Sequence, residues 1–393
     1  MAIIPNNNTP IRILQILTIM NRGGAESMIM NYYRNIDRTK IQFDFLLHRK
    51  EKGAFDEEIL SLGGKIYKLD PIHPLTYQKY KQNLEEFFKK HSEYSIIHSH
   101  INALSFIVLG VAKKTGIKVR ISHSHTAIQS EVILNIFKKG VERTTMMKEF
   151  IQHLLRQKVR RASTHNFACS KKAGQWLFGE TGDFIIINNA IDTSKFIFNP
   201  DLKRTIKESL KLSNKRIIGH VGRFSEEKNH FFLIEIFKEI LMIENDYHLV
   251  LIGGGNLTLK VKKLVDDLNI SDKVSFLGIR DDIPNLLQAM DAFVFPSIYE
   301  GLPVTLIEAQ ASGLKIFASK NIAHEVDLTG LISFLDINDS PKKWAIKIIE
   351  ESEYKRRNTS TAIKEMQYDI HENAISLQNF YLNQLKNSLY VWN

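Results

Sequence analysis

Short apolar runs rich in β-branched residues alternate along the chain with longer stretches of helical periodicity. In the first half, residues 11–17, 42–47, 65–69, 94–97, 119–122, 166–168 and 185–187 predict strands. Residues 27–35 and 72–90 predict helices between them. The alternation starts afresh in the second half. There, residues 216–221, 248–252, 274–277, 292–296 and 315–318 read as strands, and 231–243, 257–268, 283–289 and 303–312 as helices. Strand–helix alternation of this kind predicts parallel sheets covered on both faces. The fold class expected is α/β, with two facing Rossmann-like domains over residues 1–195 and 196–370 and a cleft between them. The polar stretch 196–211, which carries Pro200, is the expected break.

A length of 393 residues with 44% hydrophobic and 24% charged residues suits two ordinary globular domains. The single cysteine, Cys169, rules out an intrachain disulfide and fits a reducing compartment. The first residues lack the basic-then-apolar layout of a secretory signal, and no apolar run is long enough for a bilayer. A cytoplasmic location is expected. The net charge of +10 favours an anionic partner. From Lys138 to Arg161 eight basic residues face two acidic ones, an excess of six. At roughly 1 kcal/mol per basic residue near anionic lipid, that stretch is expected to hold the protein at the inner face of the cell membrane. A solvated helix face is the plainer reading. No aromatic-basic pattern accompanies it, so nucleic acid is not expected as a partner.

The segment 295–313, FPSIYEGLPVTLIEAQASG, carries the most chemistry. A strand ends at Pro296, a loop bears Glu300, Gly301 and Leu302, and Pro303 stands where a helix begins. Proline suits that position because its missing N–H has no partner there. The amides of Val304 and Thr305, at the positive end of the helix dipole, are placed to hold a phosphate. Glu308, just over one turn in, can accept both hydroxyls of a ribose, while Glu300 lies nearer the reacting group. A second segment, GHVGRFSEEKN at 219–229, sets Gly222, Arg223 and Lys228 in a loop after a strand. A guanidinium fork and an ammonium suit a diphosphate. Gly253, Gly254 and Gly255 follow the next strand. They do not form a dinucleotide fingerprint, because Thr258 stands where G-x-G-x-x-G needs its last glycine.

These motifs, with FLG at 276–278 and, in the first half, RGGAE (22–26), IIHSH (96–100), SHSHT (122–126), ACS (168–170) and INNAID (187–192), resemble the retaining GT-B glycosyltransferases of the large family-4 group, among them bacterial enzymes of exopolysaccharide and capsule assembly. The resemblance covers almost the whole chain. It implies a nucleotide-diphosphate sugar as donor, UDP-hexose above all, and a glycan or lipid-linked glycan as acceptor. It implies that Glu300 and Glu308 contact donor sugar and ribose, and that Arg223 and Lys228 hold the diphosphate. It implies a donor-site histidine at the end of the fifth strand, with His125 the match and His123 the alternative. The loop of Gly23 and Gly24, with His100, is then expected near donor phosphate or acceptor. It implies no cofactor and, with no Asp-x-Asp present, no metal. It also implies a last helix, 371–393, that crosses back to the first domain. Where the family often has Asn-Gly-Ile-Asp, this chain has Asn189, Ala190, Ile191 and Asp192. Three other readings remain open: a non-catalytic nucleotide-binding module of the same fold, a GT-B phosphorylase or epimerase, and a metal-dependent hydrolase built on the pairs His98/His100 and His123/His125.

Overall fold

The computed structural model describes residues 9–125 and 154–390. It divides into two compact units, Met1–Ala190 with Ile370–Asn393, and Ile191–Asp369. The sequence reading cut at 195/196 and 370/371.

In the first unit, β1 (Ile11–Leu17), β2 (Ile41–Leu47), β3 (Ile66–Lys68), β4 (Ile96–Ser99), β5 (Val119–Ser124), β6 (His165–Ala168) and β7 (Ile185–Ile186) form one parallel sheet in the order β3-β2-β1-β4-β5-β6-β7. The period-2 alternation of a strand sorts its side chains between two cores. Ile13 and Leu17 of β1 pack with Met28 and Tyr33 of helix Gly24–Asn35 and with Leu377 and Tyr381 of the C-terminal helix Ile370–Tyr390. Leu14 and Ile16 pack the other way, on Leu84 of helix Tyr77–Lys90 and Val108 of helix Ser105–Lys114. The last helix thus belongs to the first unit, and each of its fully buried apolar side chains adds about 1.5–3 kcal/mol. At the sheet's far side, Asp44 is buried against Arg12 at 2.5 Å and accepts from the Tyr94 hydroxyl at 2.6 Å, so the buried charge is paired.

In the second unit, β8 (Arg216–Val221), β9 (Tyr247–Ile252), β10 (Val274–Phe276), β11 (Ala292–Phe295), β12 (Lys315–Ser319) and β13 (Ile332–Leu335) form a parallel sheet in the order β10-β9-β8-β11-β12-β13. Helices His230–Ile243, Thr258–Asp267 and Pro341–Ser352 cover one face, and Ile283–Ala289 and Val304–Ala311 the other. The sequence reading missed β13 and helix Pro341–Ser352. The stretch expected as a polar break contains the helix Pro200–Ser209, with Pro200 in its first turn and Asn199 capping the amides of Asp201 and Leu202 at 2.9 and 3.2 Å.

In both sheets the strand order reverses between the first and fourth strands of the unit: β1/β4 and β8/β11. Open α/β sheets bind ligands outside the carboxyl ends of the strands at such a reversal. Among the described residues no helix is long and apolar enough to cross a membrane.

Candidate functional site

The reversal in the second unit brings together the loops after β8, β9 and β11. The loop 222–229 follows β8 and ends at Asn229, whose left-handed backbone (φ 56°) turns the chain into helix His230–Ile243. Asn229 also donates through Nδ2 to the Pro296 carbonyl (3.2 Å), and the Ile298 amide donates to the Glu227 carbonyl (2.8 Å). These bonds tie the β8 loop to the β11 loop. Beneath them His220 of β8 binds the Val294 carbonyl through Nδ1 at 2.9 Å. Burial holds the His220 imidazole well below its ordinary pKa, so the ring is neutral and Nδ1 carries the proton.

Lys228 and Glu300 meet across the reversal. The Lys228 ammonium donates to Glu300 Oε1 at 2.5 Å, each side chain is 15% exposed, and Nζ lies 4.6 Å from the centre of the Phe295 ring. The sequence assigned the two charges to different parts of a ligand; here each neutralises the other. Arg223, by contrast, is exposed at the rim of the same loop.

The glycines of the β8 and β9 loops allow those loops to touch. Gly253 has φ +138°, and a Cβ there would stand 2.0 Å from the Gly222 carbonyl oxygen. The Phe224 amide donates to the Gly254 carbonyl at 3.0 Å. A β-carbon on Gly222 would press on Lys228, 3.4 Å from its Cδ. Gly222, Gly253 and Gly254 therefore form the floor beside the Lys228–Glu300 pair.

Helix Val304–Ala311 starts beyond Glu300, Gly301 and Leu302. Pro303 takes the N-cap position (φ −74°, ψ 107°), one residue ahead of where the sequence placed it, and no side chain caps the helix. The first helical bond runs from the Leu306 amide to the Pro303 carbonyl at 3.0 Å. The Val304 and Thr305 amides lie ahead of that ladder, at the positive end of the dipole. Gly301 is exposed and Leu302 half-buried against the apolar face of the sheet. Glu308 is partly buried, and burial raises its carboxyl to about 7. Among the described residues its carboxyl forms no ion pair or hydrogen bond, so the structure does not link it to Lys228 or Glu300.

In the first unit, Gly23 is the N-cap of a helix that begins at Gly24, three residues earlier than expected. Gly24 faces open space, whereas a Cβ on Gly23 would meet the Glu26 carboxylate.

The His-x-His spacing puts each pair on one face of its strand. His98 and His100 come from β4 and the residue after it, His123 and His125 from β5 and the residue after it. The rings stack with centroid distances of 4.2 Å (His98/His100) and 4.1 Å (His123/His125). His98 Nε2 meets His123 Nδ1 at 3.2 Å, and His100 Nδ1 meets His125 Nε2 at 2.8 Å. Desolvation depresses all four: His98, His100 and His123 well below the ordinary value, and His125 to about 3. Ring nitrogens of His98, His100 and His123 lie within 4.8 Å of one another, a donor set with the chemistry for a divalent metal. Their inward nitrogens are already joined by hydrogen bonds, which an ion would have to displace. Sequence reasoning singled out all four histidines but missed their partners. Gln15 of β1 accepts through Oε1 from His100 Nε2 at 2.9 Å, and Tyr381 of the last helix meets His98 Nδ1 at 2.6 Å. The one available signal was a glutamine inside an apolar strand.

The basic stretch 138–161 lies for the most part outside the described residues. In its described end Arg156 donates to the Trp176 carbonyl at 3.1 Å, and Lys158 sits 5.6 Å from the Phe106 ring centre, which are packing roles.

The profile of Glycosyltransferase Family 4 matches residues 22–195, and that of Glycosyl transferases group 1 matches residues 202–333. EpsF of Bacillus subtilis (strain 168), described as a glycosyltransferase, is 34% identical over 388 residues, covering 95% of this chain and 97% of that protein. The capsular polysaccharide biosynthesis glycosyltransferase CapH of Staphylococcus aureus is 25% identical, covering 95% and 99%. The crystal structure of Anabaena Alr3699/HepE in complex with UDP and glucose superposes with a TM-score of 0.72 at 17% identity, over 95% of this chain and all of that one. With two parallel Rossmann-like sheets and relatives matched from end to end, this chain belongs to the family-4 glycosyltransferases and has the GT-B fold.

Proposed function

We propose that the protein transfers a hexose from UDP-sugar to a lipid-linked glycan in polysaccharide assembly, with retention at the anomeric carbon and without a divalent metal. The observation that carries this reading is the Lys228–Glu300 pair, set at the strand reversal beside a helix N-terminus and a glycine floor. When the glycosidic bond to the diphosphate breaks, about two negative charges gather on the leaving oxygens. Arg223, Lys228 and the amides of Val304 and Thr305 are the donors for that charge, and one preorganised donor is commonly worth ~2.7–4 kcal/mol in the transition state. Lys228 turned toward phosphate frees the Glu300 carboxylate to accept from sugar hydroxyls. Glu308, deeper in the helix, accepts from the ribose. The departing phosphate takes the acceptor's proton on the same face of the sugar, so the configuration is kept. His125, with His123 as the alternative, orients the donor sugar. Gly23, Gly24 and His100 line the phosphate or acceptor side.

CapH's name places a relative in capsule synthesis, and HepE's complex contains UDP and glucose; both support the donor and product classes. The basic stretch 138–161 supports a cytoplasmic enzyme peripheral to the membrane.

Transfer measured with a panel of nucleotide sugars in excess EDTA, with the product's anomeric coupling read by NMR, tests this. Turnover should persist and the product should keep the donor's configuration. Loss of turnover restored by Mg²⁺ or Mn²⁺ contradicts the metal-free reading, and an inverted anomer contradicts retention.

A further inference from the structure

The four histidines of the first unit, with Gln15 and Tyr381, form a single hydrogen-bonded chain whose protons can be counted. Each ring is buried and neutral, so each carries one N–H and one bare nitrogen. The chain runs from His125 Nε2 to His100 Nδ1 (2.8 Å), and from His100 Nε2 to Gln15 Oε1 (2.9 Å). It continues from Gln15 Nε2 to the Tyr381 hydroxyl (3.4 Å), from that hydroxyl to His98 Nδ1 (2.6 Å), and from His98 Nε2 to His123 Nδ1 (3.2 Å). Two buried nitrogens are left without partners at its ends: His125 Nδ1 and His123 Nε2. The two rings that carry them stack 4.1 Å apart.

With the Gln15 carbonyl facing His100, His100 donates through Nε2–H and accepts at Nδ1 from His125. His125 Nδ1 is then bare. The Gln15 amide donates to Tyr381, Tyr381 donates to His98, and His98 donates to His123, which leaves a proton on His123 Nε2. All four rings are Nε2–H tautomers. Turning the amide over reverses every bond: all four become Nδ1–H tautomers, His125 Nδ1 becomes the donor and His123 Nε2 the acceptor. In either state the two open nitrogens are one donor and one acceptor. A glutamine produces this result because its amide offers one of each, and a tyrosine hydroxyl passes the polarity on while keeping its proton.

We propose that Gln15 and Tyr381 are positioning residues that set the hydrogen-bond polarity of this cluster, so that His123 and His125 together present one donor and one acceptor to a single hydroxyl of a bound sugar. A hydroxyl that accepts from one ring and donates to the other closes the chain into a ring. A carboxylate, a phosphate oxygen or a fluorine, which only accept, leaves one nitrogen unmatched, and so does an ammonium. The hydroxyl belongs to the donor sugar or to the acceptor glycan. This step rests on the reading of the histidine end as sugar-facing; the proton count does not.

The experiment has two arms. In the first, the full chain labelled with ¹⁵N-histidine and free of substrate gives tautomers by long-range ¹H–¹⁵N correlation. The expected result is all four rings of one tautomeric sense in the wild type. In Tyr381→Phe, His98 and His123 should lose that sense while His100 and His125 keep theirs. Gln15→Met should uncouple both branches and serves if Tyr381→Phe fails to fold. Mixed tautomers in the wild type, an unchanged pattern in both variants, or a stoichiometric metal bound to His98, His100 and His123 overturns the proposal. In the second arm, donors and acceptors with each hydroxyl in turn replaced by fluorine are compared by kcat/KM. One position, on one of the two substrates, should discriminate hydroxyl from fluorine by at least tenfold. That ratio should fall toward one in Tyr381→Phe, while kcat/KM for the fluoro compound changes less. A common tautomeric sense with no discriminating position would refute the sugar-facing role and spare the network; the reverse result would refute the network.

Discussion

At the scale of single residues the informative groups are those whose charge or tautomer is out of the ordinary. Glu308 has a carboxyl raised to about 7 by burial alone, so near neutrality it is poised between forms. A ribose that donates two hydroxyls requires the ionised form. Nucleoside affinity should therefore rise with pH from 5.5 to 7.5, approaching tenfold per unit below the pKa, and flatten above it. A nucleoside is the ligand to use because it has no phosphate titrating in that window. Titration calorimetry in which Glu308→Gln keeps the same slope would remove Glu308 from the ribose. At this scale the sequence was partly legible. Glu300 and Lys228 were found by motif, but their pairing was not, because 72 positions separate them. Gln15 and Tyr381 were passed over for the same reason, at 366 positions apart. A polar residue in a strand shows its purpose only once its neighbours are known.

At the scale of elements, the loops that carry chemistry are held by the backbone. Gly253 sits at φ +138°, where side-chain-bearing residues are strained, and its missing Cβ lets the β9 loop touch the Gly222 carbonyl. Gly253→Ala should destabilise the second unit by about 1–3 kcal/mol and lower its Tm by roughly 3–10 °C. It should also weaken nucleotide binding, since the floor beside Lys228 moves. An unchanged melting curve would show that the loop tolerates the separation. Strand positions were legible because a buried parallel strand is a compact apolar run; β1, β8 and helix Ile283–Ala289 fall where the pattern put them. β13 was not, because its ISFL sequence lies at the sheet edge with only Ile332 fully buried. Helix Pro200–Ser209 was hidden by the opposite problem. It buries no residue completely, so its polar sequence read as linker although Asn199 and Pro200 spell a helix start.

At the scale of the whole molecule, the first unit stores acid sensitivity in its histidines. His48, His98, His100, His123 and His125 all have pKa values lowered by desolvation. Below pH 6.5 the unfolded chain takes up protons that the folded chain refuses, so stability falls as pH falls, by at most about 1.4 kcal/mol per unit for each such group. In the second unit Glu308 acts in the opposite sense between pH 4.5 and 7, because there the folded state holds the extra proton. Thermal unfolding followed from pH 7.5 to 5.5 should show the first unit losing stability; a flat or rising Tm would mean that these rings are already charged in the folded protein.

The same scale holds the central claim, that a guanidinium, an ammonium and helix amides together hold a diphosphate. Calorimetric binding of uridine, UMP and UDP to the wild type and to Arg223→Ala/Lys228→Ala tests it most directly. Affinity should rise steeply from nucleoside to diphosphate in the wild type. The double variant should cost UDP about a hundredfold or more, near 1.5–3 kcal/mol for each charged contact, and leave uridine within a few-fold. Equal losses for uridine and UDP, or none for either, would contradict it.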